Sequence, residues 1–102
     1  MAKKVILTPL ASQDFNKVIE YLTENWDLDV VNDFVNRFEE VVVLLSKNAN
    51  LYAFFDLKKR LQKSVLTKHN LLFFTQTEDT IYIHAIFDTR QDPVRLIQLL
   101  TA

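Results

Sequence analysis

Two apolar stripes at helical spacing, interrupted only around Asn25-Trp26-Asp27, constrain this chain more than any other feature. The first stripe runs through Ala11, Phe15, Val18, Ile19, Leu22 and Trp26, and leaves Gln13, Asp14, Lys17, Glu20 and Glu24 for water. Thr8-Pro9 supplies its start, a hydroxyl cap followed by a proline where the missing N–H costs nothing. The second stripe, Val31, Phe34, Val35, Phe38, Val41, Val42 and Leu45, keeps the same spacing for four turns, with Asp27 or Asp29 as its cap. So short a link predicts an antiparallel helical hairpin. Lys47-Asn48-Ala49-Asn50 closes it with asparagines, which tolerate left-handed geometry best in a chain with no glycine.

Around this hairpin the pattern changes to strands. Lys3 to Leu7 reads as one strand before it. After a connection reaching to about Lys59, Arg60 to Leu66, Leu71 to Gln76 and Thr80 to Phe87 read as three more, joined by turns short enough for an antiparallel meander. Strict alternation in the last strand puts Ile81, Ile83, Ala85 and Phe87 on one face and Tyr82, His84 and Ile86 on the other, with the hairpin covering the first. Pro93 to Leu100 suits a short closing helix. The expected architecture is a single α+β domain over residues 1–102, with a mostly antiparallel four-stranded sheet packed on one face by the N-terminal hairpin, in the order β-α-α-β-β-β and a short C-terminal helix.

Composition narrows the chemistry. Without glycine, phosphate-cradling loops and dinucleotide fingerprints are ruled out. Without cysteine, so are disulfides, thiolate metal sites and cysteine nucleophiles, which fits a reducing compartment, and the cytoplasm is the expected location. Val5 to Leu7 is too short an apolar run for a signal peptide or a membrane span. Twelve Lys and Arg against thirteen Asp and Glu argue against a surface that is wholly a nucleic-acid footprint, and leave room for a local basic patch. Neither histidine, His69 nor His84, has carboxylates at metal-ligand spacing, so no metal or cofactor is expected. His84 reads as a packed strand residue and His69 as a turn residue.

Two features invite a functional reading. Arg60, Lys63 and Lys68 could join Arg90 as a positive patch on the open face of the sheet, suited to phosphate or an acidic peptide. The lysines read better as a solvated edge; the arginines do not. The segment Asp88-Thr89-Arg90-Gln91-Asp92-Pro93 packs side-chain-bonding residues into the exit of a buried strand, which makes a bonded corner and a candidate recognition surface.

The ordered set Leu7-Thr8-Pro9, Ile19-Glu20-Tyr21-Leu22, Trp26, Arg60, Leu72-Phe73-Phe74 and Phe87-Asp88-Thr89-Arg90-Gln91-Asp92-Pro93 resembles the RelE/ParE toxin superfamily, in its ParE-like, plasmid-stabilisation branch. The resemblance implies the toxin of a type II toxin-antitoxin pair, neutralised by a cognate antitoxin. It further implies an inhibitor of DNA gyrase that acts by binding. Target contact is then expected at Arg60, Asp88, Arg90, Gln91, Asp92 and Pro93, and antitoxin contact at Tyr82, Ile86, Leu72 and Phe74, on the open sheet face and the groove beside the hairpin. Homodimers or heterotetramers with the antitoxin are both open. One alternative is a ribosome-dependent mRNA endoribonuclease using Arg60, His84 and Arg90, although no tyrosine follows Tyr82 to complete the set found in many such enzymes; another is an inactive, antitoxin-binding relative. Relatives usually carry proline or glycine after the hairpin, whereas 49–57 has neither, so this connection is expected to take a different shape.

Overall fold

The computed structural model of the chain describes residues 2–90. Strand β1 (Lys4–Leu7) leads into helix α1 (Pro9–Asn25) and helix α2 (Leu28–Asn48), followed by a short 3-10 turn (Ala49–Leu51) and strands β2 (Phe54–Asp56), β3 (Leu61–Thr67), β4 (Asn70–Gln76) and β5 (Thr80–Asp88). The caps are those the sequence suggests. The Thr8 hydroxyl accepts the Ala11 N–H at 3.2 Å, with Pro9 in the first turn, and the Asp27 carboxylate accepts the Val30 N–H at 3.1 Å. The expected closing helix from Pro93 lies outside the described residues.

The sheet has five strands in the order β1-β5-β4-β3-β2, antiparallel except that β1 runs parallel to β5. The fifth strand, β2, falls in the connection read from sequence as irregular; three residues bounded by Tyr52-Ala53 and Leu57 give too little alternation to register as a strand. The left-handed position also differs from expectation. Asn48 has φ −138°, and the one residue with positive φ among those described is Arg60 at +54°, in the β2–β3 turn.

Both faces of the sheet are apolar. Under the helices, Leu66, Leu72, Phe74, Ile81, Ile83 and Ile86 pack against Ala11, Phe34, Val41 and Leu45. Phe15 bridges the hairpin, its ring 4.8 Å from Phe38 and 5.7 Å from Phe34. On the second face Phe73 is 1% exposed between Phe55, Phe87, Leu61 and Ala85. This overturns the alternation expected for β5. Phe73 pairs with Ala85 but Phe74 pairs with Ile83, so His84 is an extra residue, a bulge that reverses the faces beyond it. Ile86 therefore turns under the helices, while Ala85 and Phe87 turn to the second face.

Candidate partner groove and the Asp88–Arg90 corner

Strand β1 ends at Leu7, opposite Ile83, yet β5 continues to Asp88. A bare edge there would leave buried backbone groups without partners, and α1 supplies them. The Thr8 N–H donates to the Ile83 carbonyl at 3.0 Å, the Thr8 hydroxyl to the His84 carbonyl at 3.3 Å, and the Ile86 N–H to the Asp14 carboxylate at 3.1 Å. Asp14, expected in water, is only 3% exposed. The signal was present, because position 14 lies three residues after Ala11 and four before Val18, on the apolar stripe itself. A polar residue on that stripe marks a buried acceptor rather than a solvated face.

The exit of β5 is a bonded corner, as expected. Asp88 receives the Arg90 N–H at 2.8 Å and the Arg90 side chain at two points, Nε to Oδ1 and Nη2 to Oδ2, both at 3.0 Å. Thr89 ties the corner to the β3–β4 turn, its N–H donating to the His69 carbonyl at 2.8 Å. The guanidinium hydrogen bond holds the Asp88 carboxyl below its ordinary value of 3.8 against some desolvation, helped by the Arg90 N–H and by the charges of Arg90 and His69. The same bond and charge push Arg90 higher, so both groups stay ionised. A two-point fork fixes the plane of the guanidinium as well as its position.

Between this corner and the tip of the hairpin lies a groove of about 540 Å³, walled by Val18, Tyr21, Trp26, Phe34, His69 and Arg90, with Asp14 and Ile86 at its base. Two of its aromatic lining residues are exposed: Tyr21 is 48% and Trp26 59% accessible. Such a surface on the folded protein is a candidate interaction site.

The expected site residues are not gathered in one place. Arg60 lines a separate polar cavity with Lys3, Gln62, Gln76 and Glu78, beside the last residues of β4. Arg90 lies beside Asn70, where β4 begins. The seven residues of β4 separate them by roughly 20 Å. Lys63 is on the second face above Phe55, so the four cations form no single patch. His84 lines neither cavity; its Nε2 is 2.8 Å from the Thr75 hydroxyl, and partial burial lowers its pKa from 6.5, leaving it neutral. Leu72 and Phe74 are fully buried and Ile86 is 4% exposed, all beneath the helices, so the expected antitoxin surface on the open face does not exist in that form. Of that set only Ile86 reaches the groove, and Tyr82 stays half-buried in β5. Gln91, Asp92 and Pro93 lie outside the described residues. No group of three metal-ligating side chains occurs among the described residues, and none of their helices is long and apolar enough to cross a membrane.

Solved structures with this fold include a chain of the chromosomal ParDE toxin-antitoxin system from P. aeruginosa, with a TM-score of 0.73 at 15% identity over 87% of this chain and 98% of that one. The YoeB dimer from Staphylococcus aureus gives 0.59 at 15% identity, over 83% and 94% of the two chains. The E. coli DinJ-YafQ toxin-antitoxin complex gives 0.58 at 13% identity, over 86% and 93%. The architecture is thus that of the RelE/ParE-like α+β class. No individual curated protein sequence matches the chain. The profile of the ParE toxin of type II toxin-antitoxin systems, parDE, matches residues 5–93, and the chain belongs to that family.

Proposed function

We propose that this toxin inhibits DNA gyrase in the cytoplasm by binding rather than by catalysis, and that a cognate antitoxin neutralises it by occupying the groove beside Tyr21 and Trp26. The binding reading is carried by the separation of Arg60 from Arg90. Cleavage of a phosphodiester needs a base and cations around one phosphate. Arg60 and Arg90 stand at opposite ends of β4, too far apart to hold one phosphate together. A recognition surface has no such requirement, because a fixed fork such as Asp88–Arg90 can present a cation in a defined plane to a partner protein. Family membership over residues 5–93 favours gyrase as the target.

The test is gyrase-driven supercoiling of relaxed plasmid with purified toxin, alone and with the product of the neighbouring gene. Inhibition relieved by that product is expected. Arg90→Ala should abolish inhibition while leaving the circular dichroism spectrum unchanged. Supercoiling unaffected by the folded wild-type toxin, together with new discrete 5′ ends on cellular messages after induction, would replace this reading with the nuclease.

A further inference from the structure

The outer edge of β3 is only partly covered. β2 pairs with it at Gln62 and Leu61, and the last backbone bond across this edge runs from the Lys63 N–H to the Ala53 carbonyl at 3.1 Å. Ser64 to Thr67 have no strand beside them on that side among the described residues. Since Lys63 bonds outward, alternation makes Val65 present its own N–H and carbonyl on the same edge. What stands there instead is Arg37 of α2. Its Nε donates to the Leu66 carbonyl at 2.8 Å and its Nη2 to the Val65 carbonyl at 3.4 Å.

We propose that this edge, Ser64 to Thr67, is a strand-addition site for an extended acidic segment of a partner protein, with Arg37 as the residue that guards it and then receives a partner carboxylate. Three observations carry it. First, an apolar cleft of about 400 Å³ runs along the edge, walled by Val41, Leu51, Tyr52, Val65 and Leu71. Val65 is 61% and Leu51 82% exposed, so alternate side chains of an added strand find apolar contacts there. Second, the cleft carries Arg37 and Lys63 and no carboxylate among its lining residues. Lys63 makes no ion pair with a described residue, and Arg37 has one, a long and exposed contact of 3.4 Å to Glu40. A second copy of the chain would bring like charges together, whereas an acidic segment complements them. Third, the guard is easily exchanged. An incoming N–H can take the Val65 carbonyl, and Arg37 then trades a 3.4 Å contact with a neutral oxygen for a charge-assisted bond to a carboxylate. The inference stands apart from the groove at the hairpin tip and from the toxin's target.

The probe is an eight-residue peptide alternating valine and glutamate, with a valine and lysine peptide as control, titrated into the whole protein while amide hydrogen exchange is followed. The glutamate peptide is expected to bind and to slow exchange at Val65, the lysine peptide to do neither. Arg37→Glu should weaken binding at least about tenfold. Val65→Pro, which removes the outward N–H, should abolish binding; its circular dichroism spectrum shows whether it folds, and the exposed Arg37→Glu decides the matter if it does not. No binding of the glutamate peptide would overturn the proposal, as would equal binding of both peptides or protection of Val65 by self-association of the free protein.

Discussion

Asp14 shows how much one side chain can hold. Its carboxylate is the acceptor for the Ile86 N–H at the point where β5 has outrun β1, and that bond offsets part of the cost of its burial. Replacing it with leucine keeps the bulk but strands a buried donor. The expected loss is about 1–3 kcal/mol in urea denaturation. Asp14→Asn keeps an acceptor oxygen and should lose less than half of that. Equal losses from the two substitutions would mean that the negative charge, and not the hydrogen bond, is what the site needs. The same residue also floors the groove, so Asp14→Leu should loosen the Asp88–Arg90 corner, read as faster exchange of the Arg90 amide.

At the scale of elements, the β2–β3 hairpin is where the lack of glycine is felt. Its turn closes with the Asp56 carboxylate accepting the Lys59 N–H at 3.2 Å and with the Arg60 N–H donating to the Leu57 carbonyl, also at 3.2 Å. That path requires Arg60 at φ +54°, where a Cβ crowds the backbone and glycine would not. Arg60→Gly should therefore raise stability by about 1 kcal/mol, measurable as a shift of the urea midpoint. If the substitution also abolishes the proposed gyrase inhibition, the strained arginine is kept for target contact; if that inhibition survives, Arg60 leaves the site.

The hairpin, both caps and the order of the main strands were legible in the sequence because each rests on local signals: helical spacing, Thr8-Pro9, Asp27 and short turns. What was not legible was set between distant segments. The bulge at His84 comes from the pairing of β4 with β5, and it moved Ile86 from an expected exposed surface into the core. β2 exists because Gln62 and Leu61 pair with it, and Gln62, only 1% exposed, anchors the preceding turn by donating to the Ala49 and Tyr52 carbonyls at 2.9 Å. Of the candidate site, the bonded Asp88–Arg90 corner could be read because its partners are two residues apart. A groove beside the hairpin was expected, but its lining could not be read, since its walls come from both helices, the β3–β4 turn and β5.

For the whole molecule, acid stability should depend on two groups in separate pH windows. His84 is partly buried beside Thr75 and has its pKa lowered from 6.5 in the fold. Between the folded and unfolded pKa values the unfolded chain holds more protons at this site, so lowering the pH favours unfolding. Stability should thus be flat above neutrality and begin to fall as the pH drops below about 6.5, levelling once the folded histidine is itself protonated. Asp88 acts lower down. Its folded pKa lies below 3.8, so the stabilisation from the Arg90 fork is complete above that value and is lost as the pH falls through the folded pKa. Thermal denaturation between pH 3 and 8 separates the two. His84→Gln, which keeps a hydrogen-bonding side chain beside Thr75, should flatten the window below 6.5 and leave the lower one in place, while Asp88→Asn should do the reverse. A His84→Gln profile that still falls below pH 6.5 as the wild type does would assign that loss to another group and show that His84 meets protons equally well in both states.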